Sequence, residues 1–225
     1  RLAPSRGLGD VYKRQACYEV KLENAEPVYC YLSGNENILE EGVRFLEFQE
    51  QSVTAYTKEN LKSFFDTPYR EQYHFQAYKN WLNDPNGLCW FQGYYHMFYQ
   101  MNPAFQGWDN MHWGHAVSKD LIHWTELPDA LYPDHLGTMF SGSAVIDYDN
   151  TAGFNKGKTP AMVAAFTAAS SDRQVQGIAY SLDKGRTFTK YDKNPVINSK
   201  EKWNSQDTRD PKVFWYAPSK HWVLV

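Results

Sequence analysis

The sequence predicts an all-β protein assembled from antiparallel sheets stacked radially, in the manner of a β-propeller. Beyond residue 80 the chain consists of short runs of Trp, Tyr, Phe, Val and Thr punctuated by Gly, Pro, Asn and Asp, with hardly a helical period, which is strand and turn chemistry. It also repeats. Ala116-Val-Ser-Lys-Asp120 followed by Trp124 returns roughly sixty residues later as Ala179-Tyr-Ser-Leu-Asp183 followed by Phe188, a period long enough for one four-stranded unit. Asp84-Pro85 and Asp210-Pro211 each lead through a turn into an apolar strand, 96-HMFY-99 and 222-WVLV-225, with 141-SGSAV-145 between them. Radial stacking protects sheet edges and brings equivalent positions to one central channel, so Asp84 and Asp210 are expected to face each other.

Composition bounds the rest. The 225 residues, 42% hydrophobic and 16% aromatic, suffice for a sizeable core. A net charge of -3, with 23 basic and 26 acidic residues spread evenly, offers no basic patch to nucleic acid or to an anionic membrane surface. No apolar run is long enough to span a bilayer. The three cysteines, Cys17, Cys30 and Cys89, are too few and too irregularly spaced for a disulfide framework or a zinc site.

Taken in order, 1-RLAPSRGLGDVYKRQ-15 lacks the apolar centre of a signal peptide. It resembles read-through of library or vector sequence, the alternative being a disordered tail, and is set aside. Residues 16–66 carry alternating runs, 28-VYCYL-32, 43-VRFLEF-48 and 52-SVTAYT-57, separated by 33-SGNEN-37 and 49-QEQ-51. They read as an ancillary β segment or the end of a preceding module, with 58-KENLKSFFDTPYRE-71 as linker into a main domain over 67–225.

The stretch 81-WLNDPNGL-88 stands out. By composition Asp-Pro-Asn-Gly is a tight turn. Trp81, Trp90, Phe91, Tyr94 and Tyr95 surround it in sequence, which predicts an apolar, ring-lined setting where an unpaired carboxylate is costly unless it has a task. The histidines His112, His115 and His123 invite a metal reading. On a strand, however, residues three apart point to opposite faces, so structural hydrogen bonding within a sheet is expected instead. The stretches 183-DKGRTF-188 and 134-DHLG-137 read as hairpin turns, without the alternating oxygen ligands of a calcium loop.

Five motifs in order, Trp81 to Gly87, 98-FYQMNP-103, 112-HWGHAVSKDLIHW-124, 140-FSGSAV-145 and 209-RDPKVFW-215, resemble glycoside hydrolase family 32, the β-fructofuranosidases that include invertases, levanases and inulinases. The resemblance covers about residues 75–225. It implies the N-terminal part of a five-bladed β-propeller, roughly its first two to three blades, with a funnel-shaped site at the axis. It also implies a substrate of sucrose or a fructan, and no metal or organic cofactor. Asp84 matches the family's nucleophile and Asp210 the carboxylate that stabilises the transition state. Fructosyl transfer passes through an oxocarbenium-like state, which suits one attacking and one hydrogen-bonding carboxylate. Gln100, Trp108, Phe140 and Ser141 match positions around the terminal fructose. Trp81 belongs to the same motif, and Asn83 and Arg209, each directly preceding an acid, are expected to keep the neighbouring carboxylates ionised. Trp108 and Phe140 equally suit ordinary core packing.

A retaining glycosidase also needs a general acid. In this family that Glu lies in a Glu-Cys motif downstream of Arg-Asp-Pro, and no Glu-Cys pair occurs here. Glu126 and Glu201 are the nearest candidates, in contexts that read as solvent-facing turns. The expectation is thus a retaining, exo-acting β-fructosidase whose general acid lies outside this stretch, so that the 225 residues alone would be inactive. The alternatives are a fructosyltransferase or sucrose-6-phosphate hydrolase of the same family, or a non-catalytic fructan-binding propeller. A polymeric fructan substrate would place the protein outside the cell.

Overall fold

A computed structural model describes residues 29–32, 37–57, 59–61, 65–199 and 204–225; the 1–15 segment, Cys17 and Glu201 lie outside them. Three strands, β1 (Tyr29–Leu32), β2 (Arg44–Gln49) and β3 (Ser52–Tyr56), form an antiparallel sheet, with a single helical turn, α1 (Ile38–Glu41), between the first two. Four longer strands follow in up-and-down order: β4 (Trp81–Phe91), β5 (Tyr94–Asn102), β6 (His112–Ser118) and β7 (Trp124–Leu131). A second meander repeats the pattern with β8 (Thr138–Asp147), β9 (Ala161–Ala169), β10 (Gln174–Ser181) and the short β11 (Thr189–Lys190), while β12 (Ile197–Asn198) also pairs with β10. A hairpin, β13 (Val213–Tyr216) with β14 (His221–Leu224), closes the described chain. No helix among the described residues is long and apolar enough to cross a membrane.

The two four-stranded meanders are structural repeats. In each, the third strand ends in the echoed Ser-x-Asp: the Ser118 hydroxyl donates to Asp120 at 3.1 Å and the Ser181 hydroxyl to Asp183 at 2.7 Å. Each aspartate then caps the following turn, Asp120 accepting from the amides of Ile122 and His123, and Asp183 from that of Thr187. The same short polar side chains thus direct the same reversal twice.

The main core lies between the two meanders, where Phe91, Phe98, Trp113 and Leu131 pack against Met139, Met162, Phe166 and Val175. The first strands of three successive sheets are neighbours, since β8 touches both β4 and β13. The N-terminal sheet packs on the first meander, with Ile38, Val43 and Phe45 joining Tyr78, Val117 and Leu127 in a second core. Phe45 stacks between Tyr56 and Tyr78 at 4.6 and 5.6 Å.

Candidate active site

The strand β4 is where the candidate site begins, and it corrects the turn reading of Asp84-Pro85-Asn86-Gly87. These residues lie within a continuous strand that pairs with β5 and is interrupted by register shifts between Leu82 and Pro85 and between Asn86 and Cys89. The turn lies further on, at Gln92–Gly93. The motif's residue types suit bulges as well as turns: Pro85 has no N–H to leave unpaired, and Gly87 takes φ +53, a conformation that L side chains resist. A bulge re-aims a side chain that would otherwise alternate face to face, and here it leaves Asp84 exposed.

The aromatic sleeve is not there. Trp90, Phe91, Tyr94 and Tyr95 lie at the far end of the β4–β5 hairpin, about 20 Å along a strand from Asp84, where Trp90 and Tyr95 pack on each other at 4.5 Å. Trp81 alone remains nearby, its indole N–H donating to Asn83 Oδ1 at 2.7 Å. Proximity in sequence misled because the strand is extended.

What Asp84 meets instead comes from β8. The Ser141 hydroxyl donates to Asp84 Oδ2 at 2.9 Å. Ser141 sits in a register shift between Phe140 and Gly142 against β9, and the backbone approaches so closely there that a Cβ on Gly142 would lie 2.0 Å from the Ala165 carbonyl oxygen. The seam is pinned further by the buried Gln100 amide, which donates to the Met139 carbonyl at 2.8 Å, and by the Trp113 indole, which donates to the Phe140 carbonyl at 2.9 Å. Trp108 is half exposed and meets Phe140 edge to face at 5.8 Å. Gln100, Trp108, Phe140 and Ser141 therefore gather along one seam between the meanders.

Asp210 reaches the same region just ahead of β13. Partial burial raises its pKa above the ordinary value, the Arg209 guanidinium pulls it back, and the negative charge of Asp84 pushes it up again, so the two carboxylates sense each other across the β4–β8–β13 row. Arg209 thus acts on Asp210 in the expected sense, whereas no hydrogen bond among the described residues joins Asn83 to Asp84. Arg209 Nε stands 3.9 Å from Asp210 Oδ2, whereas its Nη1 lies 3.2 Å from Asp207 and is thus divided between two acids. Asn83 spends its amide oxygen on Trp81, and Ser141 rather than Asn83 supplies the hydrogen bond at Asp84.

Glu126 is also corrected: it is no solvent-facing turn residue but 2% exposed on β7. Burial pushes its carboxyl up to about 8, countered by the Tyr78 amide, which donates to it at 2.9 Å. β7 is three strand spacings from β4, about 14 Å, which removes Glu126 from the Asp84 carboxylate. His112 and His115 point to different partners, His112 Nδ1 to the Asn110 carbonyl at 2.6 Å and His115 Nε2 to His96 Nδ1 at 3.0 Å.

Sequence reasoning passed over three residues at the site: Ser143, Thr167 and Gln176, all buried. A signal was present at Thr167, which interrupts the apolar alternate row Ala161, Val163, Ala165 and Ala169 of β9, since a buried polar group must find a partner; Ser143 and Gln176 have polar alternate neighbours, Ser141 and Gln174.

Comparison with known proteins places this geometry. Residues 74–225 match the model of the glycosyl hydrolases family 32 N-terminal domain. The levanase of Bacillus subtilis is 57% identical over 163 residues, covering 72% of this chain and 24% of that protein. The extracellular exo-inulinase of Aspergillus awamori is 48% identical over 184 residues, 72% of this chain and 34% of the relative. The crystal structure of the A. awamori exo-inulinase superimposes with a TM-score of 0.66 at 46% identity over 71% of this chain and 35% of the other. A β-fructofuranosidase from Schwanniomyces occidentalis complexed with fructosyl-erythritol gives 0.64 at 43% identity over 68% and 30%. The chain thus spans about a quarter to a third of the length of these relatives. Asp84, Ser141 and Asp210 fall within the matched residues 74–225, and the chain belongs to glycoside hydrolase family 32.

Proposed function

We propose that this chain carries the carboxylate pair of a retaining β-fructosidase that removes terminal β-D-fructofuranosyl residues from levan, inulin or sucrose within a five-bladed propeller. The observation that carries the reading is the meeting of Asp84 and Asp210, 126 positions apart in sequence, at one row of first strands with Ser141 bonded to Asp84. Asp84 attacks the anomeric carbon and forms a fructosyl ester as the bond to the leaving glycosidic oxygen breaks, and water then hydrolyses the ester to release fructose and free Asp84; Asp210 hydrogen-bonds sugar hydroxyls more strongly as positive charge develops on the ring. The Ser141 hydroxyl orients the attacking carboxylate. Trp108 and Phe140 offer aromatic faces to the C–H side of the furanose. Its relatives include a levanase, an exo-inulinase and a β-fructofuranosidase, which supports the substrate class.

The leaving oxygen needs a proton, and Glu126, although held neutral by burial, is too far from Asp84 to give it. The test is Asp84→Asn in the protein that carries this chain, assayed for sugar release from levan, inulin and sucrose. Loss of about a thousandfold or more with the fold intact is expected. Turnover near the parent level would remove Asp84 as nucleophile, and a parent that binds fructan without cleaving it would overturn the enzymatic reading.

A further inference from the structure

Asp210 is a non-glycine residue at φ +63, in the left-handed region that is uncommon outside glycine, although aspartate enters it more readily than most side chains. Its surroundings hold it there through buried side chains of the second meander. The Asp210 amide N–H donates to Thr167 Oγ1 at 3.0 Å. The Thr167 hydroxyl has one proton, and it goes to Gln176 Oε1 at 2.9 Å, which leaves its lone pairs to accept from Asp210. Gln176 then donates from Nε2 to the Thr208 carbonyl at 2.6 Å. The circuit therefore closes on the loop where it began, two residues before Asp210. Thr167 is 0% and Gln176 2% exposed, and the two stand directly opposite in the β9–β10 register, with Thr167 opposite Phe140 in β8.

Direction matters in this circuit. Gln176 uses its acceptor on one neighbour and its donor on another, a pairing that an amide can make and a carboxylate cannot. On the other side of Asp210, the Ser143 hydroxyl donates to the Pro211 carbonyl at 2.8 Å and accepts from the Val213 amide at 2.9 Å. Buried side chains thus hold the backbone of segment 208–213 at four points, while the Asp210 side chain itself faces solvent. Such a fixed backbone beneath an open carboxylate costs no reorganisation when charge develops opposite it.

Resting on the reading of Asp210 as the carboxylate that stabilises the transition state, we propose that Thr167 and Gln176 are positioning residues that hold Asp210 in its left-handed conformation and so set turnover. They touch no sugar and act only through Asp210. Their loss therefore lowers kcat with little change in KM.

The experiment compares Thr167→Val, Thr167→Ser, Asp210→Asn and the double variant Thr167→Val/Asp210→Asn in the protein that carries this chain, with sucrose as substrate and thermal unfolding as the fold control. Thr167→Val is expected to lower kcat about 10- to 100-fold with KM within about twofold. Thr167→Ser should restore most of it, and the Val substitution should add nothing on top of Asp210→Asn, where the carboxylate it serves is gone. Full additivity in the double variant, or an equal loss in Thr167→Ser, would show a general structural effect and overturn the inference. Should Thr167→Val fail to fold, Gln176→Leu takes its place, since it unties Thr208 while leaving the Thr167 hydroxyl to Asp210; unchanged kcat there overturns the inference. An Asp210→Asn variant with parent turnover would instead remove the role of Asp210 itself, an outcome separable from intact Asp210 dependence with an inert Thr167→Val.

Discussion

The Ser141 hydroxyl donates a 2.9 Å hydrogen bond to the Asp84 carboxylate across the seam between two sheets, joining residues 57 positions apart. The bond exists because each residue sits beside a register shift on the first strand of its meander, so that both leave the regular alternation and turn towards one another.

Ser141→Ala is expected to lower kcat/KM on sucrose roughly 10-fold, since a hydrogen bond to a charged group is worth about 1.5 kcal/mol or more. Initial rates of glucose release check this, with urea unfolding as the fold control for a buried position. An unchanged rate would leave Asp84 oriented by something other than Ser141.

Gly142→Ala places a methyl against the Ala165 backbone at 2.0 Å, where no side chain can yield. Destabilisation of about 1–3 kcal/mol or more is expected, together with loss of the Ser141 alignment. Gly157→Ala, whose nearest neighbour is the Asn155 side chain at 3.4 Å, serves as the near-neutral control, and thermal unfolding of the pair reads the difference.

Arg209→Gln should move the acidic limb of the pH–rate profile upwards. The Asp210 pKa is already raised by partial burial and by Asp84, and Arg209 is the group that opposes the rise. Removing that positive charge leaves Asp210 protonated to a higher pH, so activity is lost earlier on acidification. An unmoved limb would mean that Asp207, the nearer partner of Arg209, absorbs the whole of its charge.

The buried His96–His115 pair predicts acid lability. Burial lowers His96 to about 4 and holds His115 well below its ordinary value, with His96 also opposing protonation of His115 and the Gly185 backbone favouring it. Both histidines are therefore neutral in the fold, while the unfolded chain takes up protons near pH 6.5. Stability is fully present above about pH 6.5 and falls as pH drops towards 4, by about 3 kcal/mol for His96 alone. Denaturant midpoints at about pH 7 and pH 4.5 measure it, and His96→Gln should flatten the slope.

Glu126 behaves in the opposite sense. Its carboxyl, raised to about 8, is neutral in the fold at about pH 5 and favours folding there, a contribution lost as pH climbs from the ordinary carboxylate range to about 8. Glu126→Gln keeps an oxygen for the Tyr78 amide and should remove this alkaline loss while leaving turnover on sucrose unchanged. A collapse of turnover in a folded Glu126→Gln would return Glu126 to the catalytic machinery.

By itself the sequence determined what depends on local chemistry. Alternating apolar runs between turn formers can only be strands, and the Ser-x-Asp of residues 118–120 and 181–183 makes the same capped reversal wherever it occurs, so the repeat was legible before any pairing was known. The repeat also placed Asp84 and Asp210 at matching points of their units, which sufficed to expect them together. Tertiary structure decided everything that depends on which strand lies alongside which. The residues that form a turn also form a bulge, and only pairing with β5 made Asp84-Pro85-Asn86-Gly87 part of a strand. Extension along β4 carried Trp90 and Tyr95 away from Asp84 and left it to Ser141. Packing of the N-terminal sheet against β6 and β7 closed over a region that includes Glu126, which its Thr-Glu-Leu context could not reveal. The hydroxyl of Thr167 found the Asp210 amide and the amide of Gln176 found Thr208, and hydrogen-bond partners across such distances are set by register and stacking, quantities that no local stretch of residues encodes.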